Sequence, residues 1–464
     1  MSSPARQPVE QGAESERLER FPWVIFWAAL LLRLAVMTLG HFYRIVPYED
    51  HFKFGFEMGR IARSLATGQG YANPFDHPSG PTAWVTPLYP LIMAGVFRLF
   101  GVYTALSAWV ILAFNCVCSA LTTWTTWEIA SRCFKRRVAA WSAWLWALYP
   151  AAMQYSVKWV WEMSLTAFLF SCVLVLALHM RNVGGGPPDA ADPATTRRWA
   201  VFGLLWGWIT LSSASIAVFL PFCTVWILRG TPRISRQLPR VLLAAALCLA
   251  CLVPWMVRNA RVFHQFVPMR TNFGAELAMG NDPFLEGTVV GSPVALPQEE
   301  AFYDQVGELE YSRIRGREAI ARIRRDPAAF FKLTLRRFYF FWADVPHATR
   351  NGEGWTEYVR SLNFQFASIT GVLGLIVALR RKVPAAPLFA MAFAVIPFVY
   401  YFVFVQARFR HPLEPLITIL TVHLFQSAEK SWRVQFFGYP CRFLSGITAH
   451  SPSDSIPKGR LTRL

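Results

Sequence analysis

Several charged clusters in this sequence sit where apolar stretches begin or end, and their residue types could do chemistry at a membrane surface. Tyr48-Glu49-Asp50-His51 sets two carboxylates side by side. Such a pair can orient an acceptor or take its proton. Its oxygens also suit a hard divalent cation such as Mg or Mn. The plainer alternative is an acidic turn in water. The sequence specifies no cofactor, and Glu49 and Asp50 are the candidate ligands if a metal is used. Residues 54–65 then place apolar side chains at helical spacing, with Glu57, Arg60 and Arg63 on polar positions. These three could face a polar head group, or the segment could be a plain amphipathic surface helix. The GQG at Gly68–Gly70 is too short for a phosphate loop and marks the end of that helix.

Farther on, Lys158 and Glu162 precede an apolar run. Glu162 could converge on the first polar loop, or the two could form an ion pair one helical turn apart. The run Arg408-Phe409-Arg410-His411-Pro412-Leu413-Glu414 presents forked guanidinium donors that match a phosphate. At a membrane face a lipid-linked phosphate is the natural partner, and anchoring to anionic head groups is the alternative. Arg258, Asn259, Arg270, Asn272, Asn281 and Asp282 open a second polar stretch and could line the same site. Arg33 stands in the middle of an apolar run, where a charge needs a partner inside the bundle. His264 and His347 have no evident partner in the sequence.

These residues must be positioned by membrane helices. Of 464 residues, 54% are hydrophobic and 16% charged, and the mean hydropathy is +0.32. The apolar residues arrive in blocks of about 20, the length that crosses a bilayer core as a helix. In lipid the backbone must satisfy its own hydrogen bonds, so the blocks are expected to be helical. Many of the 19 Trp lie near block ends (Trp23, Trp84, Trp124, Trp127, Trp342), as at a membrane interface. The net charge of +18 is gathered in short loops between spans. That pattern fits a positive-inside membrane protein and argues against nucleic-acid binding. None of the 8 Cys falls in a long polar loop, so no disulfide framework is expected. Cys248 and Cys251 have CxxC spacing but lie inside an Ala/Leu-rich span with no second pair, so they do not predict a zinc site.

The expected fold is an all-α integral membrane protein of about ten transmembrane helices, within a range of nine to twelve. Residues 1–21 read as a cytoplasmic tail, 22–427 as the multi-span domain and 428–464 as a basic cytoplasmic tail. Two long loops, 41–102 and 257–363, fall on the outer side, and both are expected to carry interfacial helices. In the first, 84–101 is such a helix, because making it a span would put the basic cluster Arg132, Lys135, Arg136 and Arg137 outside. In the second, 328–343 mixes apolar and basic residues in the same way, and 296–325 is charged and helix-prone.

An acidic pair after the first span, then GFEMGRIARSLATGQGYANPF, GPTAWVTPLYPLIMAGVFRLFG, PWMVRNARVFHQFVPMRTNFGAELAMGNDP and ARFRHPLEPL, follow in order. Together they resemble membrane glycosyltransferases of the GT-C superfamily, on the branch of protein O-mannosyltransferases and lipid A aminoarabinose transferases, over roughly residues 22–427. The resemblance implies transfer of a sugar from a polyprenyl-phosphate donor to an acceptor protein, lipid or glycan on the outer face of the cell membrane. It implies a catalytic carboxylate at Asp50 with Glu49 beside it, and a second outer acidic position at Glu162. Donor binding would fall to Arg408 or Arg410; the residues' own placement adds Glu57, Arg60, Lys158, Arg258, Asn281 and His411 as expected substrate contacts. Relatives often carry Asp-Glu where this chain has Glu-Asp. Two rival readings are a polytopic transporter or lipid flippase and a non-enzymatic assembly scaffold. Against a transporter, the charged candidates gather at the outer face and no paired broken helices are visible.

Overall fold

A computed structural model of the chain describes residues 8–45, 54–185, 192–231, 233–282, 294, 296–345 and 355–435. Among them the secondary structure is helical, with a lone antiparallel bridge between Ala72 and Pro81. In chain order the helices are α1 (Pro8–Leu39), α2 (Glu57–Ala66), α3 (Leu88–Phe100), α4 (Ala105–Cys133), α5 (Arg136–Leu148) and α6 (Pro150–Val157). Then come α7 (Met163–Met180), α8 (Thr196–Ser212), α9 (Leu220–Leu228), α10 (Ile234–Phe263), α11 (Phe273–Gly280) and α12 (Pro297–Val306). The last are α13 (Glu308–Arg325), α14 (Pro327–Ala343), α15 (Trp355–Arg380), α16 (Ala386–Phe402) and α17 (Glu414–Gln435). Two 3-10 segments, Ala214–Phe219 and Ala407–Leu413, lead into α9 and α17.

The chain is an all-α, multi-pass membrane protein. Five helical stretches are long and apolar enough to cross a bilayer: Pro22–Leu39, Ala105–Cys133, Met163–Met180, Ile234–Phe263 and Tyr358–Arg380. Other apolar helices are shorter. α3, with 13 residues, spans about 20 Å at 1.5 Å per residue, less than a hydrocarbon core. The run from Arg136 to Val157 is broken at Tyr149, because Pro150 cannot continue the hydrogen-bonding of α5 and opens α6 instead.

Charge inside the bundle is absorbed locally. Arg33, fully buried in α1, donates to Ser119 Oγ on α4 (3.1 Å) and to the carbonyls of Ala147 (2.9 Å) and Trp146 (3.2 Å) on α5. One guanidinium thus ties three helices together.

The polar segments 54–87 and 264–345 fold onto each other. At their junction the buried carboxylate of Glu308, at the start of α13, accepts four hydrogen bonds. They come from Thr82 Oγ1 (2.5 Å), Ala83 N (2.8 Å), Thr271 Oγ1 (2.5 Å) and Tyr303 OH (2.9 Å). Thr271 N donates to Ala83 O at 3.1 Å. Nearby, His77 sits between Glu300 (2.7 Å) and Asp304 (2.9 Å) of α12. Phe75, Trp84, Tyr303 and Tyr311 form the apolar layer beneath these contacts.

Candidate active site

Where these two polar segments meet the helix ends, a cavity of about 180 Å³ opens. Its charged and polar lining includes Glu57, Glu162, Arg270, Asn272, Glu276 and Arg408. Six separate stretches of chain supply the walls, and local structure explains how each side chain arrives.

Glu57 is the first residue of α2. Gly55 precedes it with a φ of 78°, and a Cβ there would collide with the carbonyl oxygen of Val160. Only glycine lets this turn lie against the chain leading into α7, and the close approach brings Glu57 to the same cavity as Glu162. Glu162 is the residue before α7, outside its apolar span. Trp161 beside it stacks on Trp159, with ring centroids 4.6 Å apart.

Thr86 donates to the carbonyl of Ser212 at 2.7 Å, fastening the wall formed by residues 84–86 to the end of α8. Opposite, Arg270 donates through Nε to Trp84 O (2.9 Å) and through Nη2 to Glu276 Oε1 (2.8 Å), and Asn272 Nδ2 donates to the same oxygen (2.5 Å).

Arg408 enters from the 3-10 segment before α17. Its guanidinium lies 4.0 Å from the ring centroid of Trp161 and makes no hydrogen bond to any described residue. Backing it, Tyr400 stacks on Phe409 (4.4 Å) and shares a 2.5 Å hydrogen bond with Ser215.

The electrostatics follow from partial burial of several charges in one small space. Burial raises the Glu162 carboxyl above its ordinary value, and the Arg408 cation opposes that rise. Glu276 is raised for the same reason, with Arg270 the chief opposing charge. Burial lowers Arg408, whose positive form is supported by Glu162 and Glu57. The arrangement can hold an anion at Arg408 and present carboxylate oxygens beside it.

The residues expected from the sequence divide into three groups. Glu57, Glu162 and Arg408 come together at the cavity, as do Arg270 and Asn272. Six others do not line it. Arg410 is fully buried against Glu414 (2.6 Å), and also donates to Trp342 O and Ser368 Oγ. Arg258 donates to the carbonyls of Thr82 and Tyr71, both at 2.6 Å. Arg60 pairs with Asp76 at 2.8 Å. Asn281 accepts from the buried Arg337 at 3.1 Å. His411 is buried beside the rings of Trp146 and Tyr155. Lys158 caps the end of α6. Glu49 and Asp50 form the third group and lie outside the described residues. Among the described residues no group of three or more His, Cys, Asp or Glu is placed to hold a metal.

Glu276 was not expected. It sits in FGAELAMG, an eight-residue helix whose one acid reads as an ordinary solvated position. Its signal is tertiary, in the partners at 270 and 272 that precede the helix.

Residues 76–257 match the family described as dolichyl-phosphate-mannose-protein mannosyltransferase. Among solved structures, the archaeal oligosaccharyltransferase AglB from Archaeoglobus fulgidus, in complex with an inhibitory peptide and a dolichol-phosphate, is similar with a TM-score of 0.53. That match has 15% identity over 89% of this chain and 51% of that one. An Archaeoglobus fulgidus oligosaccharyltransferase tethered with an acceptor peptide containing the NVT sequon gives 0.52 at 14% identity, over 89% and 50%. ArnT from Cupriavidus metallidurans bound to undecaprenyl phosphate aligns at 14% identity over 88% and 78%, with a TM-score of 0.38. The chain spans about half the length of the oligosaccharyltransferases it matches. No curated protein matches it.

Proposed function

We propose that this chain is a GT-C superfamily enzyme that moves a sugar from a polyprenyl-phosphate donor to an acceptor on the outer face of the membrane; its family match and its likeness in fold to the oligosaccharyltransferases support this. The observation that carries this reading is Arg408. A guanidinium stacked on Trp161, lining a cavity and unbonded to any described residue, is a ready donor set for a phosphate. The family description names a dolichyl-phosphate sugar, and the AglB structure holds a dolichol-phosphate. A lipid-linked phosphate is the partner consistent with both.

The chemistry we propose is an inverting displacement. An acceptor oxygen attacks the anomeric carbon, the bond from that carbon to the phosphate oxygen breaks, and the electron pair leaves with the lipid phosphate. Arg408 stabilises the charge that grows on that phosphate, where a preorganised donor is worth most. The acceptor proton goes to a carboxylate. The family resemblance assigns that proton to Asp50, with Glu49 beside it. Glu162, near Arg408 on the cavity wall, accepts a hydrogen bond from the acceptor and orients it. If a divalent cation is used, Glu49 and Asp50 are its candidate ligands.

The test is to reconstitute the purified full chain in proteoliposomes with undecaprenyl-phosphate mannose and cell-envelope acceptors, and to follow release of undecaprenyl phosphate. Release that is lost in Arg408→Ala supports the reading. Transbilayer movement of the lipid without its consumption would favour the flippase alternative and overturn it.

A further inference from the structure

Glu276 is held by only one of its two carboxylate oxygens. Arg270 and Asn272 both donate to Oε1, at 2.8 and 2.5 Å. Arg270 is itself fixed by its bond to the carbonyl of Trp84 (2.9 Å), so Oε1 is anchored to a wall tied down by Glu308. Oε2 has no partner among the described residues. The side chain is 19% exposed and lines the cavity, so this oxygen is open to whatever enters. Asn272 precedes α11, yet its side chain makes no capping bond, so its amide oxygen is also uncommitted.

The chemistry of this corner differs from that at Arg408. It offers two fixed acceptors, Glu276 Oε2 and Asn272 Oδ1. The local positive charge of Arg270 is already matched by Glu276. A second phosphate gains nothing here, because Glu276 repels it. A neutral ring bearing adjacent hydroxyls gains a charge-assisted hydrogen bond and a second, neutral one. Sites in which a few fixed polar groups meet substrate hydroxyls discriminate strongly against analogues that cannot supply the donors. Arg270 and Asn272 fix Oε1 and leave Oε2 facing the cavity, and the acceptor proton is assigned to Asp50, so the role of Glu276 is recognition.

We propose that Glu276, oriented by Arg270 and Asn272, accepts hydrogen bonds from hydroxyls of the donor sugar and sets which sugar is used. This rests on the donor-site reading above, and the two can fail separately.

The experiment measures binding of two kinds of probe to the full chain in nanodiscs. Bare undecaprenyl phosphate tests the Arg408 end. Undecaprenyl-phosphate mannose, glucose and galactose test that end plus the sugar corner. We expect the wild type to bind one sugar lipid more tightly than the bare lipid. Glu276→Gln, which replaces the open acceptor with a donor and removes a charge that repels phosphate, should weaken that sugar lipid by roughly 10- to 100-fold without weakening the bare lipid. Glu276→Asp keeps the charge but withdraws it, and should erode the same preference. It also serves if the Gln variant does not fold, as judged by its melting temperature. A sugar preference unaltered in either variant overturns the inference. So does a wild type that binds every sugar lipid no better than the bare one, although the phosphate reading then survives. A wild type that binds none of the four lipids removes the donor reading and this inference with it.

Discussion

Arg408 and Arg410 stand two positions apart on one 3-10 segment, and their guanidiniums reach opposite environments. With three residues per turn, side chains at i and i+2 point about 120° apart around the axis. Arg408 therefore reaches the cavity and the face of Trp161, while Arg410 turns into the helix bundle and is spent on Glu414 and the carbonyls of Trp342 and Phe364.

Substitutions at these two arginines should consequently fail in different ways. Arg408→Ala should fold normally, with an unchanged melting temperature, and lose about 100-fold or more in transfer, the usual cost of removing one transition-state donor. Arg408→Lys keeps the charge but not the fork and should fall between. Arg410→Ala leaves Glu414 charged and buried. It should lose roughly 3–5 kcal/mol of stability, visible as poor yield and early melting in detergent. A folded but inactive Arg410→Ala, matching Arg408→Ala, would contradict this division.

The acid limb of the activity should lie above the ordinary carboxylate range. Glu162 accepts the acceptor's hydrogen bond most strongly when ionised, and burial raises its proton affinity while Arg408 only partly opposes this. Activity is therefore full above the raised value and falls as pH drops through it. Glu162→Gln should cut turnover by about 10- to 100-fold, the range for losing one charge-assisted hydrogen bond to the acceptor. It should also move the limb of the residual activity to lower pH. A limb at the same pH in wild type and variant would exclude Glu162 as its origin.

Two contacts between the polar segments should differ sharply in weight. Glu308→Ala leaves four donors facing a buried gap, at about 1–3 kcal/mol for each group that finds no other partner, so we expect a fall in melting temperature and loss of activity together. His77→Ala removes a pairing with Glu300 and Asp304, both well exposed to solvent. Such pairs are worth about 0–1 kcal/mol, and thermal melts of this variant should overlay the wild type.

Gly274 packs α11 onto α13 with no room to spare, since a Cβ there would run into the carbonyl oxygen of Ser312. Gly274→Ala should push α11 outward and carry Glu276 with it. The expected result is a raised KM for the sugar lipid with binding of bare undecaprenyl phosphate retained. Wild-type kinetics in this variant would mean that the α11–α13 spacing does not set the position of Glu276.

That the chain is an all-helical, multi-pass membrane protein was legible from the sequence because it rests on apolar run length. That Glu162 and Arg408 would share one cavity was legible for a related reason, since charge next to a span end is costly enough to need an explanation. Arg258, Arg60 and Asn281 had the same local signal. Their partners are the carbonyls of Tyr71 and Thr82, Asp76, and the buried Arg337, contacts that composition and spacing do not encode. Glu276 went unseen for the complementary reason. An acid in a short apolar helix carries no local mark, and its setting is made by Arg270, outside the helix, and by a wall nearly 200 residues away in sequence at Trp84.

The four-donor junction at Glu308 has a consequence for biosynthesis. Its acceptor and the donors at Thr82 and Ala83 are 226 and 225 residues apart. While the ribosome is still making the intervening helices, the early wall has no anchor and its polar groups stay hydrated. The pocket can take its final shape only once α13 has been made and has reached Thr82 and Ala83. A nascent chain arrested before residue 308 should therefore be inserted in the bilayer but incompetent for ligand, and competence should arrive in one late step.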